Sequence, residues 1–141
     1  MNAVPVLNPS RDLTLPPLTA EELMTANPLS VRAGASAEQA AAFLVERRIS
    51  AAPVIDEAGR PVGVLSQSDL TVHQREGSGG ACVADLMTPA VFSVAPAAPA
   101  ARVVQEMVRL KVHRLFVVDE LGVLIGVISA LDVLRRLDGA R

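Results

Sequence analysis

At 141 residues the chain is long enough for one ordinary domain or two very small ones. Half of its residues are hydrophobic and only 2% are aromatic, so the core must be built from Val, Leu, Ile and Ala. A net charge of −2 argues against a general binder of nucleic acid or anionic membrane; the lone cysteine, Cys82, cannot form an intrachain disulfide and fits a reduced, cytoplasmic setting.

Residues 1–17 are proline-bearing and without clear period, which predicts an extended tail that adds little to a core. They lack a basic start followed by an apolar run, so no secretory signal is expected. Leu23-Met24-Thr25 then leads into a short extended piece, Asn27 to Val31. A helix should start at Ser36, a good N-cap, with Gln39 completing a capping box. Ala40, Phe43 and Leu44 recur at helical spacing and form its expected buried face. A strand at 52–55 and another at 61–66 flank "DEAG", where Asp56 opens a turn and Gly59 tolerates positive φ. Both strands are apolar on consecutive positions, which suggests burial on both faces. A short helix begins near Ser68–Asp69, and residues 74–81, "QREGSGGA", read as a linker.

The chain then repeats itself. At an offset of 63 residues, 23–70 aligns on 86–133 without a gap and 16 of 48 positions are identical, too long a register for chance. Leu86-Met87-Thr88 answers Leu23-Met24-Thr25, and "DELG" at 119–122 answers "DEAG". The second helix has Pro99 in its first turn, with Val103, Val104, Met107, Val108 and Leu110 on its apolar side. Each copy thus reads strand, helix, strand, strand, helix. The expected fold is α+β: two β-α-β-β-α repeats packed sheet to sheet, related by a pseudo-twofold axis and sharing one core. The repeats are placed at 18–73 and 82–138. The longest apolar run, Leu121 to Leu131, falls short of the roughly 18–20 residues a membrane span needs.

The duplication also repeats a polar triad after an apolar strand: Gly63, Ser66 and Asp69 in "VGVLSQSDL", and Gly126, Ser129 and Asp132 in "IGVISALDV". Each aspartate follows its strand where it could N-cap a short helix. It could equally accept two hydroxyl donors from a ligand, through charge-assisted bonds of the stronger kind. The residues leave both readings open. His73, His113 and Cys82 make no recognisable zinc set. No nucleophile elbow, Walker loop or dinucleotide fingerprint is present, and no second carboxylate stands with Asp69 or Asp132 for acid–base work. A non-catalytic binding module is expected, with no cofactor.

"LMT" and "LMTP" at the entries, with "ISAAPVIDEAGRPVGVLSQSDL" and "VHRLFVVDELGVLIGVISALDV", resemble the CBS domain, the module named for cystathionine β-synthase. A tandem pair is a Bateman module, and the likeness covers residues 18–136. It implies clefts between the repeats that take adenosine-containing ligands: AMP, ADP, ATP or S-adenosylmethionine. Asp69 and Asp132 would bond ribose hydroxyls, and Ser66 and Ser129 ribose or phosphate. One cleft would combine Ser66, Gln67, Ser68 and Asp69 with Val112, His113, Arg114 and Phe116. There His113-Arg114 would meet phosphate, although Arg114 also reads as a solvated surface cation. The other would combine Ser129 and Asp132 with Ile49, Ser50, Ala51 and Pro53; lacking a cation, it suits a less charged adenosyl group. Thr25, Thr88 and Pro89 would line the clefts, or serve as ordinary turn and cap residues. The resemblance further implies a homodimer paired through helices, with Phe43, Leu44, Leu70, Val104, Val108, Val133 and Leu134 available for it. The expected function is a stand-alone sensor that signals to an unidentified regulated partner by conformational change; the alternative is a ligand-free dimerisation scaffold.

Overall fold

The computed structural model describes residue 15 and residues 17–76 and 80–137. The rest of the tail read at 1–17, and residues 77–79 of the linker, lie outside the described residues. In chain order the elements are α1 (Ala20–Leu23), β1 (Thr25–Ala26), β2 (Val31–Arg32), α2 (Ala37–Arg47), β3 (Ala51–Ile55), β4 (Pro61–Ser66) and α3 (Gln67–Glu76). The second repeat supplies α4 (Val83–Leu86), β5 (Ser93–Val94), α5 (Ala100–Leu110), β6 (Arg114–Val118), β7 (Leu124–Ser129) and α6 (Ala130–Leu134). The fold is a mixed α/β pair of sheets, the second of which takes in β1 from the first repeat. The first sheet runs β2-β3-β4 and the second β1-β7-β6-β5. Within each, a parallel pair spans the long helix and an antiparallel hairpin follows.

Local chemistry accounts for the elements. Ser36 and Gln39 bond reciprocally at the start of α2, as the capping box requires. The hairpin turns are fixed by Asp56 and Asp119, each accepting two backbone N–H bonds through Oδ1. Gly59 and Gly122 take φ of 82° and 81°, where a side chain would be strained. Pro99 is the N-cap of α5 rather than a residue of its first turn. α3 runs to Glu76, three residues into the segment read as a linker.

Two expectations about packing are revised. The buried stripe of α5 is Ala100, Val103 and Met107, while Val108 is 72% exposed, as is its repeat mate Val45 at 70%. The apolar positions of α5 cover a wider arc than its contact with the sheet. Nor do the repeats share a single core. One buried cluster joins Val94, Val103, Leu115, Val117 and Ile128 of the second repeat to Ala20 and Leu23 of the first. The other joins Val31, Leu44, Val54 and Leu65 of the first repeat to Val83 of the second. Each core is therefore closed by the entry segment of the other repeat. Leu15, from the segment read as a tail, also packs on the former cluster.

Backbone bonds hold this exchange. β1 pairs antiparallel with β7, Ala20 donates to the Ala98 carbonyl at 2.7 Å and Glu21 to that of Pro96 at 3.0 Å. Symmetrically, Val83 donates to Ala35 at 2.8 Å, Ala84 to Ala33 at 2.9 Å, and Thr88 and Val64 exchange both bonds at 2.9 Å. The glycines explain how closely the segments approach. A β-carbon on Gly63 would sit 2.6 Å from the Thr88 carbonyl, and one on Gly126 2.7 Å from Met24 Cγ. Gly63 and Gly126 thus admit Met87-Thr88 and Met24 of the opposite repeat.

Candidate functional site

Between the two sheets lies a cavity of about 1000 Å³. Its walls come largely from repeat mates: Ile49 and Val112, Ser50 and His113, Ala51 and Arg114, Pro53 and Phe116, Val64 and Val127, Leu29 and Phe92. The cavity therefore straddles the pseudo-twofold relation, with a strand start from each repeat on it. Its ends are not symmetric. Ser129, Asp132, Thr25 and Arg48 line it, whereas their mates Ser66, Asp69, Thr88 and Lys111 do not.

Hairpin register sets this polar end. Arg114 stands opposite Ser129 across β6 and β7, and Ala130 N–H donates to the His113 carbonyl at 2.8 Å. In the first repeat the same register places Ala51 opposite Ser66, and Gln67 N–H donates to Ser50 at 2.9 Å. His113-Arg114 thus belong beside Ser129 and Asp132. Ile49, Ser50, Ala51 and Pro53, the set expected with Ser129 and Asp132, line this cavity with them, and Val112, His113, Arg114 and Phe116, expected beside Ser66 and Asp69, line the same cavity. Ser66, Gln67, Ser68, Asp69, Thr88 and Pro89 do not line this cavity. Gln67 instead ties its own repeat together, its side-chain amide donating to the Ile49 carbonyl at 3.0 Å.

The Ser–Asp pairs do cap their helices. Ser129 N–H donates to Asp132 Oδ2 at 2.7 Å and Asp132 N–H to Ser129 Oγ at 3.1 Å. The same two bonds join Ser66 and Asp69 at 2.9 and 3.1 Å. Capping occupies only one oxygen of each carboxylate, and Asp132 Oδ1 accepts no hydrogen bond among the described residues. Asp132 is half-buried and lines the cavity.

Several lining residues were missed from the sequence: Pro28, Leu29, Arg48, Ala52, Val64, Ala90, Phe92 and Val127. Leu29 and Phe92 carried a signal, as mates one residue before the repeated Ser-Val pair, and both remain partly exposed, at 45% and 37%. Arg48 carried none, being one of two adjacent arginines ending an amphipathic helix. Among the described residues no cluster of His, Cys, Asp or Glu is suited to a metal, and no helix is long and apolar enough to cross a membrane.

A duplicated α/β unit with a cavity between its halves defines a tandem-repeat module, and comparison with known proteins gives it a family. The chain belongs to the CBS domain family, whose model matches residues 20–76 and 83–139, two tandem copies. CBSX2, a CBS-pair protein from Arabidopsis thaliana, has a crystal structure in complex with AMP. The chain aligns on that structure with a TM-score of 0.70 and 32% identity over 84% of this chain and 94% of that one. The cytosolic domain of the Mg2+ channel MgtE in complex with ATP aligns with a TM-score of 0.72 and 33% identity, over 86% of this chain and 49% of that one. The 5'-AMP-activated protein kinase subunit gamma-3 of Bos taurus is 36% identical over 104 residues, 67% of this chain. The chain spans 21% of that relative's length.

Proposed function

We propose that the chain is a non-catalytic regulatory module of the cytoplasm that binds an adenosine-containing ligand between its repeats. The observation that carries this reading is the polar end of the cavity, where a half-buried Asp132 keeps one oxygen unbonded beside His113 and Arg114. Asp132 Oδ1 accepts the ribose hydroxyls, Ser129 and Thr25 flank the sugar, and Arg114 meets phosphate through charge-assisted bonds. Leu29, Pro28, Phe92 and Phe116 supply an apolar wall for the base. The adenosine nucleotides in complex with CBSX2 and the MgtE domain support the ligand class. Because both repeats line the cavity, a ligand there favours one relative placement of the repeats, and shifts it by its differential affinity. A partner reads that placement.

Exposed apolar residues on the helices, Val45, Val108, Leu131 and Leu134, support a homodimer built through helical faces. They also keep a second reading in view, a dimerisation scaffold without ligand. Titration calorimetry of the purified chain with adenosine, AMP, ATP and S-adenosylmethionine separates the two readings, alongside mass spectrometry of any ligand released by heat. Saturable binding of at least one of them at micromolar concentration is expected; no heat from any of them leaves the scaffold.

A further inference from the structure

Arg48 closes α2 with a left-handed backbone, φ 56° and ψ 43°, and lines the cavity. That conformation suits glycine or asparagine, because a β-carbon crowds the following carbonyl. Its mate Lys111 has the same backbone at φ 57° yet does not line the cavity. The geometry therefore belongs to both repeats, and what is particular to Arg48 is its place on the cavity wall. Among the described residues neither Arg48 nor Arg114 has a carboxylate partner; the ion pairs found there join Glu106 to Arg102 and Arg109. Among the described residues Asp132 is the only acidic one lining the cavity. Two guanidiniums against one carboxylate, in a chain whose net charge is −2, concentrate positive charge where the chain as a whole carries none to spare. Arg48 and Arg114 are both exposed, and cations gathered at one opening attract anions.

The two arginines also come from opposite repeats, Arg48 from the end of α2 and Arg114 from the start of β6. One phosphate held by Arg114 beside Ser129 leaves Arg48 for charge further along the ligand. Resting on the adenosine-binding reading above, we infer that the cavity selects nucleoside polyphosphates and that Arg48 reads the phosphates beyond the first. S-adenosylmethionine, whose sulfonium is a cation, is disfavoured at the same place.

Calorimetry of the full chain with adenosine, AMP, ADP, ATP and S-adenosylmethionine tests this. The wild type should bind ATP and ADP more tightly than AMP, and S-adenosylmethionine least well. Arg48→Gly removes the side chain and suits the left-handed backbone, so folding is preserved; its melting temperature serves as the control. The Kd for ATP should rise about tenfold or more while that for AMP stays within about twofold. Arg48→Lys, which keeps the charge, should recover part of the loss. Equal weakening of AMP and ATP, no change in either, or tighter binding of S-adenosylmethionine than of ATP overturns the inference while leaving adenosine binding intact. Failure of all five compounds to bind removes the binding reading itself, and the role of Arg48 with it.

Discussion

Asp69 and Asp132 occupy the same place in the two repeats and make the same pair of capping bonds, yet only Asp132 reaches the cavity. Substituting either with alanine removes the N3 half of a capping box and should cost roughly 0.5–1 kcal/mol of stability, less than loss of the serine cap. The effects on ligand should differ. Asp132→Ala also removes the ribose acceptor, so nucleotide affinity should fall about ten- to a hundredfold, whereas Asp69→Ala should leave it within about twofold. Arg114→Ala should weaken AMP and ATP and spare adenosine, since only phosphate meets the guanidinium. Affinities in which Asp69→Ala is the damaging change would reverse the assignment of the site. The polar triad itself was legible in the sequence because it occurs twice at one spacing. Which copy faces the cavity was not, because the two copies share the same hairpin register and the same capping bonds.

Among the elements, the long helices were the most legible. Ser36 and Gln39 announced α2, and the box they form is present. Ser36→Ala should lower stability by about 1 kcal/mol in chemical denaturation; an unchanged midpoint would show that packing of Leu44 alone holds the helix start. The one-turn helices α1 and α4 were passed over, although Thr19–Glu22 and Cys82–Asp85 close the same kind of reciprocal bonds there. At four residues each they are too short to show a period, and they fold because tertiary contacts hold them. α5 has no side-chain cap and relies on other chemistry. Hydrogen bonding from Arg109 holds the Glu106 carboxyl below its ordinary value, against an opposing effect of burial and with further help from Arg102. A lowered folded value means that stability is present above the ordinary carboxylate range and lost as pH falls through the folded value. Glu106→Gln should therefore flatten the decline of melting temperature between about pH 5 and pH 3. An unaltered acid slope would mean that these exposed pairs contribute nothing measurable.

At the scale of the molecule, duplication was evident from one uninterrupted register, but the exchange of entry segments was not. Nothing in Leu23-Met24-Thr25 distinguishes packing on its own sheet from packing on the other repeat's. The clue was the glycine pair, Gly63 and Gly126, whose missing side chains make room for Met87-Thr88 and Met24. Because each core needs residues from both repeats, neither half should fold alone. Expressed separately, residues 1–78 and 79–141 should each give the circular dichroism of a largely unfolded chain and should recover native signal when mixed. A native spectrum from either half alone would show that its own sheet and helices suffice.

The crossed entry segments make the molecule equivalent to a domain-swapped dimer whose two subunits have been joined end to end. In such an assembly the covalent join contributes proximity and little geometry. It raises the effective concentration of one half for the other, and that concentration falls only slowly as the tether lengthens. Inserting Gly-Ser residues into the segment 77–79 should thus be nearly silent, at roughly 0.6 kcal/mol for each doubling of loop length. Stability resides in the mutual embrace of the halves, so a signal that loosens one entry segment is felt in the core of the other.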